Sequence, residues 1–446
     1  MIMPNIKELN PWWDHPTIQL PERNFKQRFI HKEIGYFLDK KFMISLSGLR
    51  RLGKTTVFRQ LIQQCLDAKK DPTKVFFYEF SDSDTNLEKV LHYYFHEFLN
   101  ANLYDLECYI FLDELQYVKK WQVTLKYYYD INPLIRFFVS GSSSLLLHED
   151  TKESLAGRIF DFTIQPMGFH EYLYMKNSVT FPSFDLLKDD MQEHMKGELR
   201  LIDLYKHEFN EYLRYGEFPQ ITTEKLFTRA KEYLSETVLD KIFNKDIRVF
   251  QVDKLRELRL LYKIINQTTA QFINKTNIAR EVSLSRDSVT SYIEILKKAF
   301  LMNYSYNYLR SIASQEKSYK KAYVTSINLL MATLNIDDIN DYVYPDFKGH
   351  LIETYVYNRL NYKYRNCLYF FNKDKKEVDI VIEKGLSVLP IEVKIKSELK
   401  DHDFRHLYNF MEKHKLNRGV FVYGGKVAER TIHNKHFTLI PYYLLD

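Results

Sequence analysis

The sequence predicts an α/β protein in which a three-layer, mainly parallel sheet is followed by a helical segment and a second α/β region. Apolar runs of strand length alternate with helical patterns between residues 42 and 164, as in a parallel sheet covered by helices. A helix-turn-helix pattern spans residues 256–308, and two further strand patterns lie at 378–382 and 389–394. A chain of 446 residues has room for several domains.

The first apolar run, Phe42–Leu46, is followed by a glycine-rich loop and then by a helical pattern. The loop has the sequence G-L-R-R-L-G-K-T, which fits G-x-x-x-x-G-K-[ST] at every fixed position. Glycines let the backbone wrap a phosphate chain with its N–H groups pointing inward, and the following helix adds its positive N-terminal end. Lys54 would reach the β- and γ-phosphates and Thr55 would ligate Mg²⁺.

This motif predicts ATP and Mg²⁺ as cofactors, and a chance glycine turn before a helix is the alternative. The predicted nucleotide-binding residues are Gly48, Leu49, Arg50, Arg51, Leu52, Gly53, Lys54, Thr55 and Thr56.

The second and third strand patterns, Val75–Phe80 and Cys108–Leu112, carry the other half of such a site. Asp113 follows the third run directly and would hold Mg²⁺, while Glu114 would act as general base toward the attacking water. A surface acidic pair after a strand is the alternative. The phosphate-binding loop upstream favours the catalytic interpretation.

The fourth run, Ile135–Val139, ends in a serine-rich stretch that begins at Ser140. Ser140 would contact the γ-phosphate or the attacking water, or else belong to a turn that caps the next helix. Arg158 precedes the fifth run, Ile159–Ile164. It is either a transition-state arginine, supplied to its own site or to a neighbouring copy, or an ordinary surface residue. We predict the strand order 5-1-4-3-2, with the ligand at the carboxyl ends of the strands.

Residues 170–255 are rich in helical patterns and predict a lid over the nucleotide or a spacer. Helical patterns at 258–267, 277–282 and 286–298, followed by a strand pattern at 300–308, predict a winged helix. The exposed side of its third helix would meet DNA phosphates or base edges, unless the domain serves as an interdomain joint. This side carries Arg286, Ser288, Ser291 and Lys298.

Two strand patterns near the C-terminus are predicted to form a hairpin that turns at Gly385 and Leu386. Counting outward from this turn places Asp379 opposite Glu392, with Lys394 on the same face because side chains alternate along a strand. Glu353 would approach from a helix. This constellation resembles that of the PD-(D/E)-x-K nucleases. The resemblance implies Glu353, Asp379 and Glu392 as metal ligands, with Lys394 positioning water or stabilising charge. The alternative is a solvated hairpin with charges on one face.

The chain resembles the prokaryotic AAA-plus-related ATPases that are grouped near the signal-transduction (STAND) ATPases. The resemblance rests on the G-x-x-R-x-x-G-K-T-T loop, the L-D-E strand end, the S-G-S-S-S stretch, the L-x-G-R element and the segment Gln165–Leu173. It implies a P-loop ATPase domain at 1–175, a helical lid or spacer at 176–255, a winged helix at 256–310 and a restriction-endonuclease-like domain at 311–446.

The C-terminal acids and lysine resemble those of PD-(D/E)-x-K nucleases, although Val378 stands where that signature has proline. Two further segments depart from the family pattern. Glu217 replaces the second glycine of a family element, and Thr325 and Ser326 follow a strand that an acid commonly follows.

Two functional hypotheses follow from these patterns. In the first, an ATPase cycle controls a DNA-cleaving C-terminal domain; in the second, ATP gates a switch that binds DNA or a protein partner, with a catalytically silent C-terminal domain. A net charge of +6 is compatible with DNA as a partner. Three widely spaced cysteines and the lack of a membrane-length apolar run or a signal-like leader predict a cytoplasmic protein that does not bind membranes. Oligomerisation is an open possibility.

Overall fold

The computed structural model describes residues 6–81, 86–142, 155–181, 185–188, 206–223, 226–309, 311–338, 346–373 and 376–445. The chain divides into two compact units. The first comprises residues 1–165, 244–251 and 298–300, and the second comprises residues 166–243, 252–297 and 301–446.

The first unit contains a five-stranded sheet in which all neighbouring strands are parallel. Its order is β2-β3-β4-β1-β5, which confirms the predicted order 5-1-4-3-2. Every residue of β1, β3 and β4 is buried, as expected for central strands covered on both faces. The strands are β1 Met43–Ser47, β2 Val75–Glu79, β3 Cys108–Asp113, β4 Ile135–Gly141 and β5 Ile159–Thr163.

Helices connect these strands, as a parallel sheet requires. The helix after β1 packs on β4, and its Phe58 ring lies 5.5 Å from that of Phe111 on β3. The helix after β2 is α-helical only at its start and continues as a π-helix. The helices of this unit are Ile6–Leu9, Phe29–Gly35, Lys54–Asp67, Leu87–His92 with its π-helical continuation Tyr93–Phe98, and Trp121–Ile131.

The second unit begins with helices and continues with the segments in which the sequence predicts a winged helix. Strand β6, Gln271–Phe272, lies between the first two helices of those segments, and β7, Met302–Asn307, and β8, Lys321–Val324, follow the third. Strand β8 pairs antiparallel with both β6 and β7. The α-helices of this part are Phe169–Asn177, Glu208–Tyr215, Phe227–Glu232, Leu255–Gln267, Lys275–Glu281 and Arg286–Lys298.

A nine-stranded sheet of order β13-β14-β12-β11-β10-β9-β7-β8-β6 extends through the rest of this unit. Strand β7 pairs parallel with β9 and so joins β6, β7 and β8 to the C-terminal strands in one sheet. The domain boundary predicted at 310/311 therefore falls within this sheet. Its remaining strands are β9 Leu368–Lys373, β10 Lys376–Lys384, β11 Ser387–Lys394, β12 Arg418–Tyr423, β13 Ala428–Ile432 and β14 Lys435–Pro441. The accompanying helices are Ile312–Lys317, Ile327–Leu334, Phe347–Lys363 and Arg405–His414.

The β10–β11 hairpin has the register that the sequence predicts. Lys384 pairs with Ser387 and the ladder continues to Ile380 and Ile391, while Gly385 takes the positive φ that the turn requires. Asp379 is the next residue outward, and its Oδ2 accepts a hydrogen bond from the N–H of Val393 at 2.8 Å. The hairpin therefore holds Asp379 beside the end of β11.

Two of the departures from the family pattern, Glu217 and the Thr325–Ser326 segment, meet in one buried contact. The carboxylate of Glu217 accepts hydrogen bonds from the Ser326 hydroxyl at 2.5 Å and from the Asn328 N–H at 2.9 Å. These donors lie at the start of the helix Ile327–Leu334, where a negative charge is favourable. Burial raises the pKa of Glu217, and these donors oppose the shift. Glu217 thus supplies an acid beside the strand end where Thr325 and Ser326 stand.

Within the described ranges, no helix is both long enough and apolar enough to span a bilayer.

Candidate nucleotide-binding site and C-terminal pocket

The glycine-rich loop joins β1 to the helix Lys54–Asp67 at the carboxyl edge of the first sheet. Gly48 has a φ of 143°, and a Cβ there would lie 2.3 Å from the carbonyl oxygen of Ile164. Gly53, with a φ of 98°, precedes the first helical turn. Both positions therefore require glycine for steric reasons, which confirms the local structure that the motif predicts.

Lys54 is buried inside this loop. Its Nζ donates hydrogen bonds to the carbonyl oxygens of Gly48 and Leu49, both at 2.9 Å. Burial lowers the pKa of Lys54, while the nearby carboxylates of Glu114 and Asp113 oppose the shift. A bound phosphate chain would offer this ammonium a full negative charge in place of carbonyl dipoles.

Asp113 is completely buried at the end of β3, where hydroxyl groups from two other elements surround it. Thr55 Oγ1 donates to its Oδ2 at 2.5 Å, and the Ser140 hydroxyl donates to its Oδ1. Burial and the charge of Glu114 raise the pKa of Asp113. A threonine hydroxyl in contact with a carboxylate is a set of hard oxygen donors that fits Mg²⁺.

Glu114 has a positive φ of 55°, which is uncommon for a residue with a side chain. Its carboxylate accepts a hydrogen bond from Gln116 Nε2, which also donates to Ser142 Oγ at 3.0 Å. Gln116 thereby holds Glu114 near the end of β4. Gln116 was not predicted, because a single glutamine after an acidic pair carries no distinctive sequence signal.

Arg50 in the loop forms the most extensive ion pair of this site. Its Nε lies 2.9 and 2.8 Å from the two carboxylate oxygens of Asp246, and its Nη2 donates to the Tyr117 hydroxyl at 2.6 Å. Nη1 lies 3.8 Å from Glu114 Oε1. Burial raises the pKa of Asp246, and the Arg50 guanidinium opposes that shift. Asp246 was missed because it follows Arg50 by 196 positions in the chain.

Arg158 lies at the amino ends of the strands, opposite the end that carries the phosphate-binding loop. Its carbonyl oxygen accepts the Met43 N–H where β1 begins, and its Nε donates to Asp130 at 2.8 Å. Five residues of β1, at about 3.3 Å each, separate it from the loop by roughly 16 Å. This placement argues against contact between Arg158 and the nucleotide of its own chain; a contact with a neighbouring copy stays a prediction.

The other predicted loop residues differ in their exposure. Leu49 and Leu52 are buried, Thr56 is half-buried, and Arg51 is exposed with a φ of 66°. Ser143 and Ser144 of the predicted serine-rich stretch lie outside the described residues.

In the second unit, a pocket of about 750 Å³ brings together all four predicted C-terminal site residues. Lys394 Nζ lies 2.7 Å from Glu392 Oε1. Asp379 and Glu392 share this pocket, as the hairpin register predicts. Its charged lining consists of Lys321, Glu353, Glu377, Asp379, Glu392 and Lys394, with His350 and His406 beside them.

The carboxylates of this pocket repel each other in a poorly solvated space. Burial, with the charge of Asp379, raises the pKa of Glu392 to about 8. Burial also raises the pKa of Glu353 to about 7, although Lys321 opposes it. These shifts agree with the expectation that packed carboxylates titrate high without a metal ion.

The fit of a divalent ion differs among the three predicted ligands. Glu392 Oε2 is buried and, in the described part of the chain, has no hydrogen-bond partner, so Asp379 and Glu392 offer oxygen atoms to a cation. Glu353 instead bonds to Lys321 at 2.7 Å and to the Tyr323 hydroxyl at 2.8 Å. Among the residues described, no group of three His, Cys, Asp or Glu has the arrangement to hold a metal.

The helix Arg286–Lys298 has the two faces that the pattern predicts. Val289, Ile293 and Leu296 are buried, and the Ser285 hydroxyl caps its N-terminus by accepting the Ser288 N–H at 3.0 Å. On the predicted binding side, Arg286 and Ser291 are exposed, and Ser288 and Lys298 are half-buried. DNA contact by this side stays a prediction.

Family models match three parts of the chain. An AAA domain matches residues 40–173, and two domains of unknown function, DUF8612 and DUF4143, match residues 206–340 and 348–445. The AAA match covers the five-stranded parallel sheet and its phosphate-binding loop, so residues 40–173 form an AAA-type P-loop domain.

Curated relatives match this chain over part or nearly all of its length. An uncharacterized protein of Methanocaldococcus jannaschii is 29% identical over 296 residues, which cover 64% of this chain and 60% of that protein. An uncharacterized protein of Haemophilus influenzae is 22% identical over 430 residues, 92% of this chain and 95% of that protein. The match thus spans about three-fifths of the archaeal relative's length.

Solved structures are similar at a low level. The Walker-type ATPase PABY2304 of Pyrococcus abyssi matches with a TM-score of 0.43 and 13% identity, over 70% of this chain and 97% of that one. AMPPCP-bound DnaA from Aquifex aeolicus matches with a TM-score of 0.27 and 14% identity, over 65% and 92%. The fold assignment rests on the strand order and the AAA match and not on these scores.

We expect Arg50→Ala to destabilise the first unit by on the order of 3 kcal/mol, because it leaves the buried carboxylate of Asp246 without its cation. Denaturant unfolding of the nucleotide-free protein measures the loss. Adding Asp246→Ala should recover part of it, since the unpaired charge is then gone. Arg51→Ala, the exposed neighbour, is the matched control, with an expected change below about 0.5 kcal/mol. Equal effects of the two arginine substitutions would contradict a stabilising Arg50–Asp246 pair.

Proposed function

We propose that the first unit binds ATP with Mg²⁺ and hydrolyses it. The observation that carries this proposal is the convergence of Lys54, Thr55, Asp113 and Glu114 at the carboxyl edge of one parallel sheet. Loop N–H groups and the helix N-terminus bind the phosphates, and Lys54 pairs with the β- and γ-phosphate oxygens.

Thr55 and Asp113 would hold the Mg²⁺ ion, which neutralises charge on the phosphates when it is bound. Glu114 accepts the proton of the water that attacks the γ-phosphorus, and the bond to the β-phosphate oxygen breaks. Gln116 keeps the Glu114 carboxylate oriented through its hydrogen bond.

Lys54→Ala should abolish nucleotide binding because it removes the buried cation that pairs with the phosphates. Glu114→Gln should keep ATP binding and stop turnover, since it removes only the base. Fluorescent-nucleotide titration measures binding, and phosphate release measures turnover. Hydrolysis by Glu114→Gln at the native rate would show that Glu114 is not the base.

We further propose that the nucleotide state controls the helical and C-terminal regions. Support comes from the Arg50–Asp246 pair, since Arg50 belongs to the phosphate-binding loop and Asp246 lies shortly before the helix Leu255–Gln267. A bound phosphate chain would compete with Asp246 for the guanidinium, so ATP binding would alter the constraint on that segment.

DNA is the partner that we propose for the winged-helix elements, with a protein partner as the alternative. The supporting observation is the exposed side of the helix Arg286–Lys298. Its cations can neutralise phosphates without reading sequence.

If this helix binds DNA, Arg286→Ala should weaken binding about equally for different sequences and reduce its dependence on salt. Fluorescence anisotropy with labelled duplexes at several salt concentrations measures both quantities. Lys263→Ala, an exposed lysine on another helix, is the control for loss of one charge. Binding that does not depend on salt, or that is unaffected by Arg286→Ala, would favour the interdomain-joint interpretation.

For the C-terminal pocket we propose metal-dependent cleavage of DNA, supported by Asp379, Glu392 and Lys394 on one face and by a Glu392 oxygen that has no partner among the described residues. Asp379 and Glu392 would hold the divalent ion, which supplies charge stabilisation at the phosphate when bound. Lys394 would position water or stabilise the developing charge. The ion pair that occupies Glu353 favours the alternative, a silent pocket within an ATP-gated switch.

Mn²⁺ or Mg²⁺ should raise the melting temperature of the nucleotide-free protein, because a bound cation relieves the repulsion between Asp379 and Glu392. Asp379→Ala and Glu392→Ala should each remove this shift, whereas Lys394→Ala should keep the shift and lose plasmid cleavage. Differential scanning calorimetry and a plasmid assay measure the two effects. A shift that survives both acid substitutions would place the ion elsewhere, and a shift without cleavage would support the silent alternative.

A further inference from the structure

Lys321 lies inside the C-terminal pocket although it belongs to β8, a strand of the winged-helix element series. Only 3% of its surface is exposed. Its ammonium lies 2.7 Å from Glu353 Oε1 and 2.9 Å from Glu377 Oε1. A buried lysine with two carboxylate partners acts as a fixed cation of the pocket.

The four carboxylates of the pocket therefore fall into two groups. Glu353 and Glu377 share the ammonium of Lys321, and the Tyr323 hydroxyl also donates to Glu353. Asp379 and Glu392 have other partners: Asp379 accepts a backbone N–H, and Glu392 Oε1 bonds to Lys394, whose side chain is more exposed than that of Lys321.

Glu392, in the second group, has a buried oxygen, Oε2, that lacks a partner among the described residues. A divalent ion near Asp379 and Glu392 would satisfy this oxygen. An ion at Glu353 would meet the ammonium of Lys321, whose side chain is only 4% exposed, and like charges in a buried space repel strongly. The Lys394 side chain that bonds to Glu392 is 31% exposed, so solvent screens its repulsion of an ion there more effectively.

We propose that the Lys321 ammonium takes the place of a second metal ion, so that the pocket holds one divalent ion between Asp379 and Glu392. This inference rests on the metal-dependent function proposed above. Glu353 is then a positioning residue, held by Lys321, and does not ligate the ion. Strand β8 thereby supplies a permanent positive charge to the pocket.

The test counts Mn²⁺ ions bound to the nucleotide-free full-length chain, by electron paramagnetic resonance of free Mn²⁺ during titration. Asp379→Ala serves as the blank, because any ion that it retains binds outside the C-terminal pocket. After this subtraction, we expect one ion for the wild type and two for Lys321→Met, in which Glu353 and Glu377 are released. Lys320→Met is the matched control and should bind one ion, because Lys320 pairs outside the pocket with Glu316.

One ion in both the wild type and Lys321→Met would overturn the role of Lys321 and leave the proposed metal site intact. No ion in the wild type would overturn the inference together with the metal-dependent function. Two ions in the wild type would overturn the inference alone.

Glu353→Gln gives a second test that does not depend on the folding of Lys321→Met. The wild-type affinity for Mn²⁺ should change by less than about threefold, because Glu353 is not a ligand. A loss on the order of tenfold to a hundredfold or more would identify Glu353 as a metal ligand and overturn the inference.

Discussion

The carboxylate of Asp113 is a charge that folding removes completely from water, and the nucleotide-binding edge of the first sheet is arranged around it. A buried carboxylate is tolerated when donors surround it. Here the donors are the hydroxyl groups of Thr55 and Ser140, which come from the helix after β1 and from the end of β4. Ser140 reaches Asp113 because β4 pairs directly with β3, so this part of the site depends on the strand order.

The neighbouring charged residues at the nucleotide-binding end of the sheet are also buried and need partners. Lys54 is buried against loop carbonyls, and Arg50 is shared among Asp246, Tyr117 and Glu114. In such a dry environment each cation has more than one anionic or dipolar partner, and a phosphate chain would compete for both cations. Through this competition, nucleotide binding would weaken the ion pair that holds the segment carrying Asp246.

Buried acids of the second unit are also surrounded by hydrogen-bond donors or cations. Glu217 is held by donors at the start of a helix, and Glu353 is held by Lys321 and Tyr323. Glu392 differs, since one of its oxygens has no partner in the described part of the chain. That difference separates an acid that stabilises the structure from one that is available to a ligand.

Much of the fold and part of both sites could be predicted from the chain alone, because they depend on local patterns. The phosphate-binding loop is one continuous motif. Strands β1, β3 and β4 each end where an apolar run meets polar residues. The facing of Asp379 and Glu392 followed from a two-residue turn and a period of two. The sequence determined these features because neighbouring residues impose them.

Contacts between distant segments were decided only by the tertiary structure. Asp246 beside Arg50, Lys321 beside Glu353 and Glu377, and Glu217 at a distant helix start have no local signal. Arg158 shows the same limit, since its motif does not reveal at which edge of the sheet it lies. A sequence period specifies the face of an element on which a side chain lies, but the partner of a buried charge depends on which elements pack together, and only the folded chain determines that packing.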